Sequence, residues 1–273
     1  MFSFIANVFG YLLDWLYNIV GQNYGIALIL FTILLRIILL PITIKQQKSV
    51  KKTAKIQSKM QEIQFKYKNN PELMNKEIMD LYKKENLSPF SGCISAILQI
   101  LIILSVFWLV SKPLTHMKKI DANIIEGYKN EIVQENGKIS NYYEIEIIQK
   151  KSEQHEDVKI NMNFMGLDLS KVPSQNLKDF TVYIIPILYV ISSVFSIKLT
   201  TPKKSKENSE STSNEMDMTQ QMNKSMSFMM PIMAVSIAFV APLGLALYWF
   251  ISNVLMIAER ILINKYVDSK EEK

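Results

Sequence analysis

The sequence predicts an all-α polytopic membrane protein, with five transmembrane helices around a polar groove open to the cytoplasm and a cytoplasmic helical hairpin. Two observations predict this class. Hydrophobic residues make up 49% of the 273 residues and charged residues 21%, yet the charges crowd between long apolar blocks. Those blocks reach the roughly 20 residues that a helix needs to cross a bilayer. Such segregation is typical of a membrane protein rather than of a soluble core.

The apolar blocks define the spans in chain order. The first block contains one charge, Arg36, and the second contains none. The last block is too long for one span and breaks at Pro242-Leu243-Gly244, a turn sequence, so it is divided into two helices. The predicted spans are residues 22–44, 89–111, 180–199, 225–241 and 243–263.

Residues 1–21 predict an amphipathic helix that lies in the membrane interface. Polar residues recur there at spacings of four and seven, which places them on one narrow stripe among apolar and aromatic side chains. These residues are Ser3, Asn7, Asp14 and Asn18. An uncleaved first span or a fraying terminus is the alternative.

Lysines set the predicted orientation. Residues 45–88 contain eleven lysines and five acidic residues, whereas residues 113–179 contain nine lysines and eleven acidic residues. Positive loops stay in the cytoplasm, so the first of these segments is cytoplasmic and the second is extracellular. The N-terminus is therefore expected outside, and the tail of residues 264–273 inside.

The cytoplasmic segment 45–88 predicts two helices joined by a breaker. Apolar residues follow helical spacing before and after Asn69-Asn70-Pro71, as expected for an antiparallel hairpin with lysine-rich outer faces. These residues are Ile56, Met60, Ile63, Tyr67, Met74, Ile78 and Leu81. The hairpin either binds a partner or is a stable solvated element without one.

Two other connections are predicted with less regular structure. In the extracellular loop, residues 112–179, segments 131–135 and 139–148 flank Asn136-Gly137, which favours a β-hairpin turn. Residues 200–224 are rich in Ser, Lys and Glu and predict a flexible cytoplasmic linker.

Arg36 is the residue whose placement in the membrane is predicted to cost the most free energy. A charge inside a span costs about 2.5–3.5 kcal/mol, and such residues usually face a bundle interior or a water-filled cavity. No Asp or Glu is expected beside it, because none lies within the spans away from their ends. Polar residues of other spans share its depth and predict a hydrophilic groove; they are Gln99, Ser192, Ser193, Ser196 and Asn253. The alternative is a structural arginine that caps backbone carbonyls or holds lipid phosphate.

A methionine ridge adds an apolar surface. Met218, Met222, Met226 and Met230 follow i, i+4 spacing. Flexible thioethers suit varied apolar partners, and they equally suit gap-filling in a packed bundle.

Several residue types exclude other functions. The single Cys93 excludes intrachain disulfides and cysteine-based zinc sites, and His116 and His155 have no metal-binding spacing. No serine–lysine, serine–histidine or paired aspartate set lies inside the spans. The sequence therefore predicts no metal, no cofactor and no enzyme.

Seven short segments are together more specific than any one of them, because they follow one another in a fixed order and spacing. They are Asn23–Ala27, Leu40–Thr43, Asn70–Glu72, Ser88–Cys93, Gly166–Leu169, Met230–Met233 and Pro242–Trp249. In this order, with Arg36 and Gln99 between them, they resemble the YidC family of membrane protein insertases.

The resemblance implies a function and its residues. It implies a bacterial plasma membrane protein that assists integration and folding of membrane proteins, alone or with a Sec-type translocon. Arg36 would be the groove arginine, with Gln99, Ser192, Ser193, Ser196 and Asn253 as its lining. The apolar substrate helix would slide along Met226, Met230, Ile187 and Trp249. Its partners would be nascent membrane proteins, the lipid bilayer, and the ribosome or targeting factors on the cytoplasmic hairpin. The main rival is a small-anion channel or transporter with Arg36 as its selectivity residue.

Overall fold

A computed structural model describes residues 2–87, 91–200 and 236–271, and this part of the chain is mostly helical. Its α-helices are α1 Phe2–Ile19, α2 Tyr24–Lys55, α3 Gln57–Lys66, α4 Pro71–Lys84, α5 Ser91–Ser111, α6 Pro113–His116, α7 Ala122–Asn136, α8 Tyr143–Lys151, α9 Ile184–Thr200, α10 at residues 236–240 and α11 Leu243–Glu271. Strands β1, Asn163–Phe164, and β2, Leu167–Asp168, pair antiparallel. Short 3-10 turns occur at Glu156–Val158, Pro173–Gln175 and Phe180–Tyr183.

Two of the described helices are long and apolar enough to cross a membrane, namely Tyr24–Lys55 and Leu243–Ile263. Shorter apolar helices cover Ile97–Ser111 and Phe180–Ser196, within the second and third predicted spans. The fourth predicted span lies mostly outside the described residues, as do Met226 and Met230 and the linker 201–224. Five spans therefore remain a prediction. α11 also continues as helix to Glu271, through most of the predicted tail.

Contacts divide the chain into two compact units. Unit 1 combines Met1–Leu34 with Ser105–Ala258, and unit 2 combines Leu35–Leu104 with Glu259–Lys273.

In unit 1, the polar stripe of α1 contacts protein. Asn7 Oδ1 lies 2.8 Å from His116 Nδ1 of α6, and Lys119 Nζ donates to the Asn7 carbonyl oxygen at 3.0 Å. Gly10 is required at the crossing because a Cβ there would overlap the His116 carbonyl. The exposed face of α1 is apolar and consists of Phe4, Val8, Tyr11, Trp15 and Ile19. An exposed apolar helix face suits lipid contact, and the interfacial position of α1 remains a prediction.

The loop of residues 112–179 is an ordered part of unit 1. The buried Glu144 carboxylate accepts hydrogen bonds from the Thr115 backbone N–H at 2.9 Å and from its hydroxyl at 2.6 Å. Lys151 forms ion pairs with Glu131 and Glu135 at 3.0 and 3.1 Å, which joins α8 to α7. These contacts fix α6, α7 and α8 against one another.

The β-hairpin predicted at residues 131–148 is wrong. These residues form the end of α7 and most of α8, and Gly137 is the left-handed residue that ends α7, with φ of 73°. Asn-Gly has the positive-φ tolerance that suits a helix C-terminus as well as a hairpin turn. Ile125 and Ile132, seven residues apart, bury one face of α7. The hairpin that the loop contains is β1–β2, which turns at Met165 and Gly166.

The same loop satisfies backbone groups at the beginning of α2 and α11. The Tyr24 N–H donates to the Asn161 carbonyl at 3.1 Å. The N–H groups of Leu243 and Gly244 donate to the carbonyls of Lys171 and Leu169, each at 2.9 Å. The first four N–H groups of a helix have no partner within it, so the loop supplies acceptors that the helices cannot. Around these contacts unit 1 has a packed apolar core of Tyr24, Leu28, Phe31, Leu109, Leu169 and Leu245.

Unit 2 contains the predicted helical hairpin. Pro71 begins α4, and the Asn70 side chain accepts a hydrogen bond from the Leu73 N–H at 3.1 Å. Asn70 and Pro71, which are predicted to separate the two helices, therefore also cap and begin α4. The ion pair of Lys59 with Glu85, at 3.3 Å, links α3 to the end of α4. Helix α2 extends to Lys55, so the hairpin begins about ten residues later than predicted.

Candidate functional site: polar groups within apolar helices

Arg36 forms an ion pair within unit 2. Its Nη1 lies 3.5 Å from Oε2 of Glu259 on α11, and the two side chains are 14% and 13% exposed. The expectation that no acidic residue would accompany Arg36 is therefore wrong. Glu259 lies close to the end of the predicted span 243–263. In the structure, however, α11 continues as one helix beyond Ile263, to Glu271. A glutamate near a predicted span end is thus an internal residue of a longer helix.

The ion pair is loose. A charge-assisted N–H···O bond usually measures about 2.7–2.9 Å. The observed separation of 3.5 Å is longer than that. Glu259 Oε2 is buried and accepts no hydrogen bond of ordinary geometry from the described residues. The contact between Oε2 and Arg36 is therefore an ion pair that is longer than an ordinary charge-assisted hydrogen bond.

A second polar contact lies in unit 1, between α9 and α11. Asn253 Nδ2 donates to the hydroxyl oxygens of Ser192 and Ser193 at 2.9 and 3.2 Å. The Ser192 hydroxyl in turn donates to the Tyr189 carbonyl at 2.8 Å. All three polar side chains of this contact are buried. Hydrogen bonds of this kind between membrane helices contribute about 0.6–2 kcal/mol each, so the contact joins the third and fifth predicted spans.

The remaining predicted groove and slide residues are placed separately. Gln99 is exposed on α5 in unit 2, and Ser196 is half-buried on α9 in unit 1. Ile187 is 55% exposed, and the half-buried Trp249 ring lies 6.3 Å from the Tyr189 ring. The structure thus joins Asn253 with two of the three serines, and Arg36 with Glu259. The single groove predicted from the sequence remains a prediction.

Helix α9 exposes a continuous apolar surface. Its exposed apolar residues occur on several sides of the helix and leave only a narrow buried stripe. The exposed residues are Ile184, Ile187, Leu188, Val190, Ile191, Val194 and Phe195. Exposed apolar patches of this extent mark membrane or protein contacts. Among the described residues, no group of three His, Cys, Asp or Glu side chains is arranged to hold a metal ion. The site therefore offers charge, amide and hydroxyl groups beside an apolar surface.

Comparison with known proteins agrees with this description. Residues 15–271 match the family model described as 60Kd inner membrane protein. A protein of Treponema denticola named membrane protein insertase YidC is 28% identical over 262 residues, which are 96% of this chain and 37% of that protein. A protein of the same name from Wolinella succinogenes is 29% identical over 269 residues, 98% of this chain and 38% of that protein. Over a shorter region of 106 residues, the Syntrophobacter fumaroxidans protein of that name is 42% identical, covering 39% of this chain and 19% of that protein.

The chain spans less than two fifths of the length of the relatives that match nearly all of it. Even so, the family model covers most of the chain, and the resemblance drawn from the seven sequence segments is confirmed. The chain belongs to the 60Kd inner membrane protein family, the family of the membrane protein insertases named YidC.

Proposed function

We propose that the chain is an insertase and chaperone for membrane proteins in the bacterial plasma membrane, and that Arg36 receives the polar flank of its substrate. What supports this is the Arg36–Glu259 pair, which is enclosed by apolar helices yet loosely bonded. Relatives over nearly the whole chain are named membrane protein insertases.

The pair suggests a mechanism of carboxylate exchange. Breaking a buried ion pair by removing one partner costs about 3–5 kcal/mol, because a charge is left unpaired in a poor solvent. A substrate carboxylate that approaches Arg36 as Glu259 withdraws keeps the arginine paired throughout. Glu259 would then hold the site in a neutral state between substrates.

The other polar groups would extend the path of the flank. Gln99, Ser192, Ser193, Ser196 and Asn253 are proposed to line the groove with amide and hydroxyl groups that replace water. The hydrogen bonds from Asn253 to the serines would open transiently to admit polar substrate atoms. Meanwhile the apolar substrate helix would move into lipid along Ile187, Trp249, Met226 and Met230, driven by burial of its apolar surface.

The proposed topology places the hairpin and the C-terminus in the cytoplasm, and α1 and the 112–179 loop outside. The lysine-rich hairpin would receive the ribosome, targeting factors or a Sec-type translocon. No nucleotide-binding GxxxxGK[ST] motif occurs in the sequence. Partitioning and the membrane potential would therefore supply the energy.

Insertion into liposomes tests the proposal. A small single- or double-spanning protein is added to liposomes containing the full chain or no protein, and insertion is scored by protease protection. Protection is expected with the chain, to be lost with Arg36→Ala and retained with Arg36→Lys, because the charge rather than the guanidinium shape is needed. Arg260→Ala, which removes the other arginine of the chain, is the matched control and should insert normally.

The same liposomes separate the rival function. A small-anion channel would show anion flux that depends on Arg36 and no protection of added protein. Full insertion by Arg36→Ala for substrates with acidic flanks would contradict the electrostatic groove.

A further inference from the structure

A lysine-lined cavity of about 250 Å³ lies in unit 2, beside the part of α2 that follows its apolar stretch. Its lining residues are Lys45, Lys48, Ser49, Lys52, Asn86 and Leu87. The first four occupy positions i, i+3, i+4 and i+7 of one helix, which places them on one face of α2. Asn86 and Leu87 come from the turn that ends α4, so the cavity lies between α2 and the base of the helical hairpin.

The cavity is positive and uncompensated. No carboxylate lines it, and within the described ranges none of its three lysines forms an ion pair. Like charges three or four residues apart on a helix destabilise it. Three lysines of like charge therefore share one face of α2 at some cost to the helix, which an anion bound in the cavity would offset.

The turn after α4 adds neutral hydrogen-bonding groups to the cavity. Asn86 has a left-handed backbone, with φ of 52°, and the Leu87 N–H donates to the Tyr82 carbonyl at 2.8 Å. Asn86 and Leu87 of this turn line the cavity together with Ser49 of α2, so residues with an amide and a hydroxyl group surround it beside the lysines. Ammonium, amide and hydroxyl groups around a small space suit a phosphate group, for which lysine is a common point-charge ligand.

The depth of the cavity points to a lipid. The apolar stretch of α2 begins at Tyr24 and ends at Ile44, and Arg36 is its only charge. Its length agrees with the roughly 20 residues that a helix needs to cross the hydrocarbon core. Lys45 is the first residue beyond that stretch. Lys48 and Lys52 follow within about 10 Å, and headgroup layers add about 5–8 Å on each side of the core. Lys45 and Lys48 thus lie at the level where lipid phosphates are found, and Lys52 lies just beyond it.

We infer that this cavity binds the phosphate headgroup of an anionic phospholipid of the cytoplasmic leaflet. The bound lipid joins α2 to the end of α4 and so holds the base of the hairpin at the membrane surface. The leaflet rests on the proposed orientation of the insertase, whereas the binding of an anionic headgroup rests on the cavity alone. A phosphate of RNA would have to enter the headgroup layer to reach Lys45, which favours lipid as the occupant.

The test uses the full chain in detergent, titrated with short-chain phosphatidylglycerol or phosphatidylcholine and followed by the concentration dependence of thermal stabilisation. The variant Lys45→Gln/Lys48→Gln/Lys52→Gln is compared with Lys66→Gln/Lys76→Gln/Lys84→Gln, which removes the same charge from exposed hairpin positions outside the cavity. Juxtamembrane lysines each contribute about fivefold to the binding of anionic lipid, so the cavity variant should bind phosphatidylglycerol about 100-fold more weakly. The control variant should bind it within about twofold of the parent chain, and circular dichroism should show both variants to be helical.

Three outcomes of the binding experiment would overturn the inference. Equal binding of the two lipids, or equal weakening in the two variants, would mean general attraction rather than a site. Equal stabilisation by inorganic phosphate would assign the cavity to a free anion. Binding of an RNA oligonucleotide that the cavity variant alone loses, with phosphatidylglycerol binding unchanged, would assign it to nucleic acid. Liposome insertion is scored separately, so failed insertion with lipid selectivity intact would refute the proposed function and leave the lipid site standing.

Discussion

The Arg36–Glu259 pair gives the most informative prediction. At 3.5 Å and an effective dielectric of about 20, two unit charges attract each other by about 5 kcal/mol, before the cost of removing them from water is subtracted. That cost is high because both side chains are largely enclosed. Glu259→Gln preserves the shape and removes the negative charge that lies 3.5 Å from Arg36. We expect it to reduce the free energy of unfolding by about 3 kcal/mol, the lower part of the range for broken buried pairs, because the observed pair is loose.

A double-mutant cycle separates attraction from packing. Arg36→Gln/Glu259→Gln removes both charges and should be more stable than either single variant, since it leaves no unpaired ion. The coupling energy is expected to be about 2–3 kcal/mol, measured by reversible unfolding of the full chain in mixed micelles. Lys59→Gln/Glu85→Gln is the matched control, because that pair is more exposed. An exposed pair should couple by less than about 1 kcal/mol.

Glu259→Gln should strengthen the contact of Arg36 with an acidic substrate flank, although it lowers the stability of the fold. Glu259→Gln removes the competitor for Arg36, so cross-linking of a photoreactive residue in the acidic flank of a substrate to the part of α2 around Arg36 should increase several-fold. A substrate with an amide-substituted flank should not gain. A coupling energy below about 0.5 kcal/mol would refute the ion pair, since additive behaviour is expected of residues that do not interact. Unchanged cross-linking of the acidic flank would refute the exchange.

Two further predictions concern unit 1. Asn253→Ala should reduce the free energy of unfolding by about 1 kcal/mol, the scale of a hydrogen bond between membrane helices. Asn253→Ala combined with Ser192→Ala and Ser193→Ala should cost little more, because the three changes share the two hydrogen bonds from Asn253 and add only the loss of the Ser192 bond to the Tyr189 carbonyl; fully additive losses would show that the contact is not shared. The Lys171 ammonium, 2.7 Å away, and bonds from Thr181 lower the pKa of Asp179 from 3.8 to about 2. A depressed carboxyl pKa stabilises the folded state above the unfolded value and loses that stabilisation as the pH falls through the folded value. Parent protein should therefore lose stability relative to Asp179→Asn between about pH 4 and pH 2 in acid titrations of thermal unfolding, and parallel curves for the two proteins would contradict the Asp179 ion pair.

Features that depend on local sequence could be predicted. Asn70-Pro71 ends one helix and begins another because proline fits the first helical position and asparagine caps it. Pro242 lies in the break between α10 and α11, directly before Leu243, the first residue of α11. Counting residues along the spans also predicted that Asn253 and the serines of α9 share a depth, and the structure joins Asn253 to two of them by hydrogen bonds.

Features that depend on how far a helix continues, or on which turn an ambiguous dipeptide forms, could not be predicted. Asn136-Gly137 is compatible with a hairpin and with a helix end, and only the buried face of α7 decides between them. The Arg36–Glu259 ion pair could not be predicted, because the sequence does not show that α11 continues past residue 263 or that the Glu259 side chain contacts α2. The lysine cavity required the fold as well, because Lys45 and Asn86 are separated in the sequence by the whole helical hairpin.

The loop of residues 112–179 has a structural role that follows from membrane chemistry. An unsatisfied backbone N–H in a bilayer costs several kcal/mol, and a helix has no internal partner for the N–H groups of its first turn. Carbonyls of Asn161, Lys171 and Leu169 accept from the first residues of α2 and α11. A loop that only connected two spans could be short. A loop that also satisfies the beginnings of two other helices has to be long and internally rigid, and its buried Glu144 and paired Lys151 provide that rigidity.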